Sequence, residues 1–319
     1  MLHDAFMSAY LPSASTTASF RQFNRAYTRF LGTLSDNYLS TEYSLAEGRV
    51  LYELATHAGS QAREVAEALG LDAGYLSRIL SKFEKAGLVV RVTAAQDNRA
   101  TNLLLTARGK AAVRKLNLRA DKQALAVLAG LSEHQRARFS SAIATIGQTV
   151  LGQRIQPSSV ILRSHRPGDM GTIVSLEGAG YVEQFGWDGS FEALVARIVA
   201  DFIAGYDASR ERCWIAEAEG QHLGHVFLVQ HPDQPHTAKL RLLYVDPAAR
   251  GLGLGHKFVA ECVSFARTAK YRKITLWTQS ILTAAHRIYQ AAGFRLVREE
   301  PHHSFGKDLI GQTWEMDLS

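Results

Sequence analysis

Residues Leu242 to Gly255, reading LLYVDPAARGLGLG, constrain this chain more than any other stretch. An apolar run through Leu242, Leu243, Tyr244 and Val245 predicts a buried strand, Asp246 and Pro247 stop it, and a glycine-rich turn opens an amphipathic helix near Gly255. At a strand, turn, helix junction the unpaired N–H groups of the first helical turn and of the loop point into one concavity. The helix dipole adds positive potential there, so a phosphate or pyrophosphate is held by backbone alone. Gly251, Gly253 and Gly255 allow close backbone approach, and Arg250 supplies a cation at the rim. A dinucleotide-binding turn needs an acidic residue about 20 positions on, where this chain has Lys270 to Lys273. A Walker loop needs Gly-Lys-Ser/Thr, and here Gly255 precedes His256, Lys257 and Phe258.

The remaining pattern, Arg250-x-x-Gly253-x-Gly255 after Val245-Asp246-Pro247, resembles the coenzyme A pyrophosphate loop of the GNAT N-acetyltransferases. A second stretch carries the same resemblance: Ile288-Tyr289-Gln290-Ala291-Ala292-Gly293-Phe294, a helix ended by Gly293 and followed by a buried strand. The resemblance covers about residues 160 to 319. It implies acetyl-CoA as acyl donor, held by Leu243, Val245, Arg250, Gly251, Leu252, Gly253, Leu254 and Gly255. It also implies a strand ending at Val245 that splays from its neighbour, with an N–H near Leu243 facing the thioester carbonyl. Tyr289 stands where such enzymes place a tyrosine beside the cofactor sulfur, and a phenol there serves as general acid. Leu282 departs from the asparagine many relatives carry. For the base that deprotonates the acceptor amine, Glu177 and Tyr244 are the candidates, and Phe185-Gly186-Trp187 is expected near the acceptor mouth.

A chain of 319 residues exceeds the usual single domain, and its charge is unevenly divided. Residues 1–153 hold 18 Lys and Arg against 12 Asp and Glu, while residues 154–319 hold 18 of each, so the whole net charge of +6 lies in the first part. A basic part joined to a neutral one suggests that only the first meets a polyanion. We expect a domain at 1–153, a linker rich in polar residues near Gly152 to Ser159, and a second domain at 154–319.

In the first part, Phe20, Phe23, Tyr27, Phe30, Leu31 and Leu34 recur at helical spacing, and helices are expected over Leu45 to His57, Gln61 to Leu69 and Asp72 to Ala86. Gly70 suits a left-handed C-terminal position and Asp72 an N-cap. On the third of these helices Leu76, Ile79, Leu80 and Phe83 form one stripe, leaving Tyr75, Ser77, Arg78, Ser81, Lys82 and Lys85 outside it. An apolar stripe backed by hydroxyls and cations is what a helix entering a DNA major groove requires. A hairpin follows, with Asp97-Asn98-Arg99 expected at its tip and Arg99 placed to reach a minor groove. Ser77-Arg78, Glu84-Lys85-Ala86-Gly87-Leu88-Val89, Asp97-Asn98-Arg99 and Leu103 to Gly109 together resemble the MarR family of winged helix-turn-helix regulators. That resemblance covers most of residues 20 to 148. It implies double-stranded DNA as partner, and a homodimer built from the first and the two terminal helices, Arg108 to Ala129 and Ser132 to Leu151, which pairs with a palindromic site.

Cys213 and Cys262 have no metal-type spacing, so neither a disulfide nor a metal site is expected. No apolar run is long enough to span a bilayer and the N-terminus lacks the pattern of a signal peptide, which suggests a soluble cytoplasmic protein. The expected architecture is a mainly α winged helix-turn-helix domain followed by an α/β GNAT domain with a mixed central sheet. The expected function is a DNA-binding regulator that is also an acetyl-CoA-dependent N-acetyltransferase for a small-molecule amine. Two alternatives stand beside it: a non-catalytic acetyl-CoA or CoA sensor, and a protein-lysine acetyltransferase.

Overall fold

A computed structural model describes the backbone of residues 14–32, 37–94 and 97–318, and the side chains of these except at 14 and 94–100. The chain divides into two compact units, residues 1–131 and 132–319. Each has its own core.

The first unit begins with helix α1 (Ala14–Phe30), which starts earlier than its aromatic spacing indicates; the expected Leu34 lies outside the described residues. Helix α2 (Leu45–Thr56) opens with a capping box, in which Ser44 Oγ accepts from the Glu47 N–H at 3.2 Å and the Ser44 N–H donates to Glu47 Oε2 at 3.0 Å. Helices α3 (Ala62–Leu69) and α4 (Ala73–Lys85) meet at Gly70, which is left-handed, and Asp72 Oδ1 caps α4 by accepting from the Tyr75 N–H at 2.9 Å. The stripe Leu76, Ile79, Leu80 and Phe83 is buried against Val50, Leu51, Leu54, Val65 and Leu103. Strands β1 (Val89–Ala94) and β2 (Asp97–Leu105) pair antiparallel, from Val89 opposite Leu105 to Ala94 opposite Asp97. The hairpin is therefore longer than its sequence suggests. Asp97, Asn98 and Arg99 belong to β2 and not to the tip, and the Arg99 side chain lies outside the described residues. Helix α5 (Ala107–Leu128) completes the unit, packing Ala112, Val113 and Leu116 into the same core.

Helix α6 (Glu133–Leu151) belongs to the second unit. It packs on the strand that begins at Gln221, where Gln148 Nε2 donates to Gln221 Oε1 at 2.7 Å and Gln221 Nε2 donates to Thr145 Oγ1 at 3.2 Å. The structural division thus falls ahead of this helix, whereas the composition shift falls behind it. The unit continues as β3 (Ile161–Ser164), α7 (Asp169–Phe185), α8 (Gly189–Gly205), β4 (Arg212–Ala218), β5 (Gln221–Gln230), β6 (Thr237–Val245), α9 (Leu254–Thr268), β7 (Lys273–Gln279), α10 (Thr283–Ala292), β8 (Arg295–Ser304) and β9 (Lys307–Asp317). The seven strands form one mixed sheet in the order β3-β4-β5-β6-β7-β9-β8, with only β6 and β7 parallel. Two cores flank it. Ala238, Leu240, Leu254, Phe258 and Cys262 pack on the side of α9, while Ile173, Phe191, Val195, Phe202 and Phe227 pack on the side of α7 and α8. Both cysteines are buried and free. None of the described helices is long and apolar enough to cross a membrane.

Candidate functional site

Strand β6 pairs with β7 only from Thr237 opposite Lys273 to Leu240 opposite Leu276, and beyond that point the two strands separate. On its other side β6 pairs with β5, but the register slips between His225 opposite Tyr244 and Phe227 opposite Arg241. Leu242 and Leu243 therefore have no strand partner on either side, and Leu242 takes a φ of 51°, a bulge conformation rare for a branched residue. The consequence is a gap in an otherwise closed sheet. It opens into a cleft of about 1500 Å³ lined by Glu177, Leu243, Tyr244, Val245, Arg250 and Tyr289 among others.

The turn after β6 is shaped by its own residues. Asp246 Oδ1 accepts from the Ala248 N–H at 2.8 Å, a short 3-10 turn covers Pro247–Ala249, and Gly253 is the N-cap of α9 with φ 74°. No side chain caps α9, so the N–H groups of its first turn face the cleft. Arg250 is braced at the rim by Gln184, whose Oε1 accepts from Nη2 at 3.0 Å. Gly251, Gly253, Leu254 and Gly255 also line the cleft, whereas Leu252 turns away and packs on the core beside α9. Gly255 has a second role that its spacing does not reveal: a Cβ there would lie 2.5 Å from Ile288 Cδ1, so its missing side chain lets α9 and α10 approach. A wide cleft ending in uncapped amides, a glycine turn and a braced arginine fits the pyrophosphate and pantetheine of coenzyme A.

The candidate chemical groups converge on the same cleft. Glu177, on α7, is buried and its Oε1 lies 2.8 Å from His225 Nε2 on β5. His225 Nδ1 in turn lies 2.9 Å from His222 Nε2, and His222 Nδ1 is buried without a partner. Burial raises the Glu177 carboxyl to about 8 and lowers both imidazoles to about 3, so the neutral forms of all three groups are favoured. With Glu177 protonated its O–H donates to His225 and the chain runs outward to His222; with Glu177 ionised the polarity of both hydrogen bonds reverses. The His225 ring stacks on Tyr244, centroids 5.4 Å apart. Burial raises the Tyr244 phenol to about 12, which makes it a proton holder and leaves Glu177 the better base. Burial also raises the phenol of Tyr289, on α10, above its ordinary value, so it enters a reaction protonated. Phe185 and Trp187 stand at the wall of the cleft, Trp187 packed at 4.7 Å from Phe191 and 4.8 Å from Phe305.

On the first unit, α4 exposes Tyr75, Ser77, Arg78, Ser81 and Lys85, with the Arg78 guanidinium 5.8 Å from the Tyr75 ring centroid. Lys82 is exposed but engaged: its Nζ lies 2.6 Å from Glu47 Oε1, tying α4 to α2.

Residues 181–294 match the acetyltransferase (GNAT) family and residues 43–100 match the MarR family. The chain joins a MarR family domain to a GNAT acetyltransferase domain. Relatives of the acetyltransferase domain include the N-acetylaspartate synthetase of Danio rerio, 32% identical over 102 residues that make up 32% of this chain and 36% of that protein. The human N-acetylaspartate synthetase is 29% identical over 90 residues, 28% of this chain and 30% of that protein. The chain thus spans about a third of the length of these relatives. Among solved structures, the ribosomal-protein-alanine N-acetyltransferase of Brucella melitensis aligns at 19% identity and a TM-score of 0.42, over 50% of this chain and 99% of that one. An acetyltransferase of Salmonella typhimurium, solved with acetyl-CoA, aligns at 19% identity and a TM-score of 0.41, over 50% and 95%.

The sequence reading of the acetyltransferase domain missed His222, His225, Lys239 and Arg241. Histidines on the neighbouring strand β5, more than 20 residues before the glycine turn, carry no local signal. The alternation of Lys239 and Arg241 with Ala238 and Leu240 did hold a signal, since it sets two cations on one face of a buried strand.

Proposed function

We propose that the protein is a DNA-binding regulator and an acetyl-CoA-dependent N-acetyltransferase that acetylates a small-molecule amine in the cytoplasm. The reading rests above all on the unpaired Leu242 and Leu243, which open the sheet between an uncapped glycine turn and the buried Glu177. When bound, acetyl-CoA supplies an activated acyl carbon. The turn from Arg250 to Gly255 holds its pyrophosphate, the backbone of Leu243 and Val245 pairs with the pantetheine amides, and the N–H near Leu243 polarises the thioester carbonyl. Glu177 takes a proton from the acceptor ammonium, the free amine attacks the acyl carbon, the C–N bond forms and the C–S bond breaks. Tyr289 gives its proton to the departing sulfur. Nitrogen loses two protons in all: one to Glu177, and one that restores Tyr289 through solvent. The printed names of the relatives favour an amino acid among the acceptors to be tried.

In the MarR domain, α4 would enter a major groove with Tyr75, Ser77, Arg78 and Ser81 toward it, Lys82 in part withheld by Glu47, and Arg99 carried on the wing strand. The aromatic face of α1 supports a homodimer on a palindromic operator: Phe20, Phe23, Tyr27 and Phe30 are 44–48% exposed, Phe23 and Tyr27 stacking at 5.4 Å. Exposed apolar residues on α5 (Leu118, Leu125) suit the same use.

A thiol-release assay on purified protein, with acetyl-CoA against amino acids, polyamines, aryl amines and aminoglycosides, tests the enzyme. Turnover with one class supports transfer. Calorimetric binding of acetyl-CoA with no turnover across the panel would favour a sensor instead.

A further inference from the structure

Strand β6 alternates. Ala238 and Leu240 are buried against the core beside α9, so Lys239 and Arg241 face the opposite side of the sheet, where α8 lies. Both are partly buried, and both line the cleft together with Phe191, Leu194 and Ile198. Among the described residues neither side chain makes a hydrogen bond or an ion pair. The acids that attract them, Asp201 on α8 for Arg241 and Asp233 for Lys239, do so from beyond ion-pair distance. The one glutamate of the sheet that lines this cleft, Glu315, is already held by Lys273 at 2.7 Å. Burial lowers the Lys239 ammonium and Arg241 lowers it further, while Lys239 adds to the depression of His231 beside it. Two side chains of the cleft have a buried polar atom without a partner, Trp187 Nε1 and Gln279 Nε2, and both atoms are donors. Buried cations and donors are ordinarily paired. Here the unpaired groups of one cavity all call for an acceptor.

Resting on the acetyltransferase reading, we propose that Lys239 and Arg241 form an anion subsite for the acceptor, so that the amine acetylated by this domain carries a side-chain carboxylate or phosphate besides any α-carboxylate. The phosphates of coenzyme A do not account for these cations. The glycine turn begins at the far end of β6, roughly 13 to 20 Å along the strand from Arg241 and Lys239 at about 3.3 Å per residue, and α9 lies on the other face. A charged subsite on the α8 face, next to the gap at Leu242 and Leu243, places an anionic group of the acceptor while its nitrogen reaches the thioester. The acceptor class is then an amino acid with an acidic or phosphorylated side chain, and not a polyamine or an aminoglycoside, whose cations the pair repels.

The test is calorimetry on the full chain, with and without saturating CoA, using L-aspartate, L-glutamate and O-phosphoserine against L-alanine and putrescine. The anionic amines are expected to bind at least tenfold more tightly than alanine and putrescine, aspartate and glutamate against phosphoserine separating carboxylate from phosphate. Arg241→Gln and Lys239→Gln should each weaken that binding about tenfold while leaving CoA affinity and the thermal midpoint unchanged. Equal affinity for alanine or putrescine, no binding of any anionic amine, or variants with full affinity would overturn the subsite. Thiol release separates the two readings: fast release with neutral amines keeps the transferase and removes the subsite, whereas anionic amines that bind without release keep the subsite and remove the transferase.

Discussion

His225 Nε2 stands 2.8 Å from Glu177 Oε1, and neither side chain is more than 3% exposed. One strand and one helix thus bury an acid against an imidazole at the edge of the cleft. Because burial raises the carboxyl to about 8, its base form grows as pH rises through that value. The rate of acetyl transfer should climb between pH 7 and 9 with an apparent pKa near 8, and Glu177→Gln should lose both the limb and on the order of 10²-fold or more in kcat. Pre-steady-state thiol release across pH measures both. An unchanged profile in the variant removes Glu177 as base.

The same burial makes a prediction about stability. His222 and His225 have folded values of about 3 against an ordinary 6.5, so between those limits the unfolded chain binds protons that the folded chain does not. Their contribution is complete above pH 6.5 and is lost as pH falls toward 3. His225→Gln removes one of the two groups. Its unfolding free energy, from urea titrations at pH 6.5 and 4, should drop less steeply than that of the native chain. Equal slopes would show that His225 is not the source.

Tyr289 is predicted to act on turnover alone. Tyr289→Phe should lower kcat while acetyl-CoA affinity, read by calorimetry, stays within about twofold, since the phenyl ring keeps the packing beside Phe294 and Trp314. A loss confined to affinity would make Tyr289 a binding residue.

Gly255 and Ile288 should couple. A methyl at 255 would sit 2.5 Å from Ile288 Cδ1, so Gly255→Ala must push the end of the isoleucine aside, against the helix propensity that alanine gains. Ile288→Val removes the colliding methyl. The double variant should therefore be more stable than the sum of the single effects by about 0.5 kcal/mol or more, as read from a chemical-denaturation cycle. Additive effects would mean that α9 and α10 adjust freely.

On the MarR domain, Arg78→Ala should weaken operator binding and reduce its salt slope by about one, with acetyl transfer unaltered. Fluorescence anisotropy across a salt series decides this, and a variant with the native slope would take Arg78 off the phosphates.

Local signals were sufficient wherever a residue's role depends on its own neighbours in the chain. Gly70 and Asp72 act as the cap and N-cap their types predict, the stripe from Leu76 to Phe83 is buried, helix α9 opens at the glycine turn and helix α10 ends at Gly293. The glycine turn and its arginine are likewise a local pattern, because a strand, turn and helix follow from composition over fourteen residues. Roles that depend on partners far along the chain were not legible. Glu47 holds Lys82 across 35 positions and Glu177 meets His225 across 48; the splay of β6 from β7 was expected from the resemblance, but not the slip against β5 that leaves Leu242 and Leu243 unpaired on that side too. The sequence alone determined most of the elements and their order, since caps, periodicity and turns act at short range, and its motifs carried the resemblance to the two families. Only the tertiary structure decided which charges are buried together and which stay unpaired, because desolvation is a property of the whole packed neighbourhood and not of any segment in it.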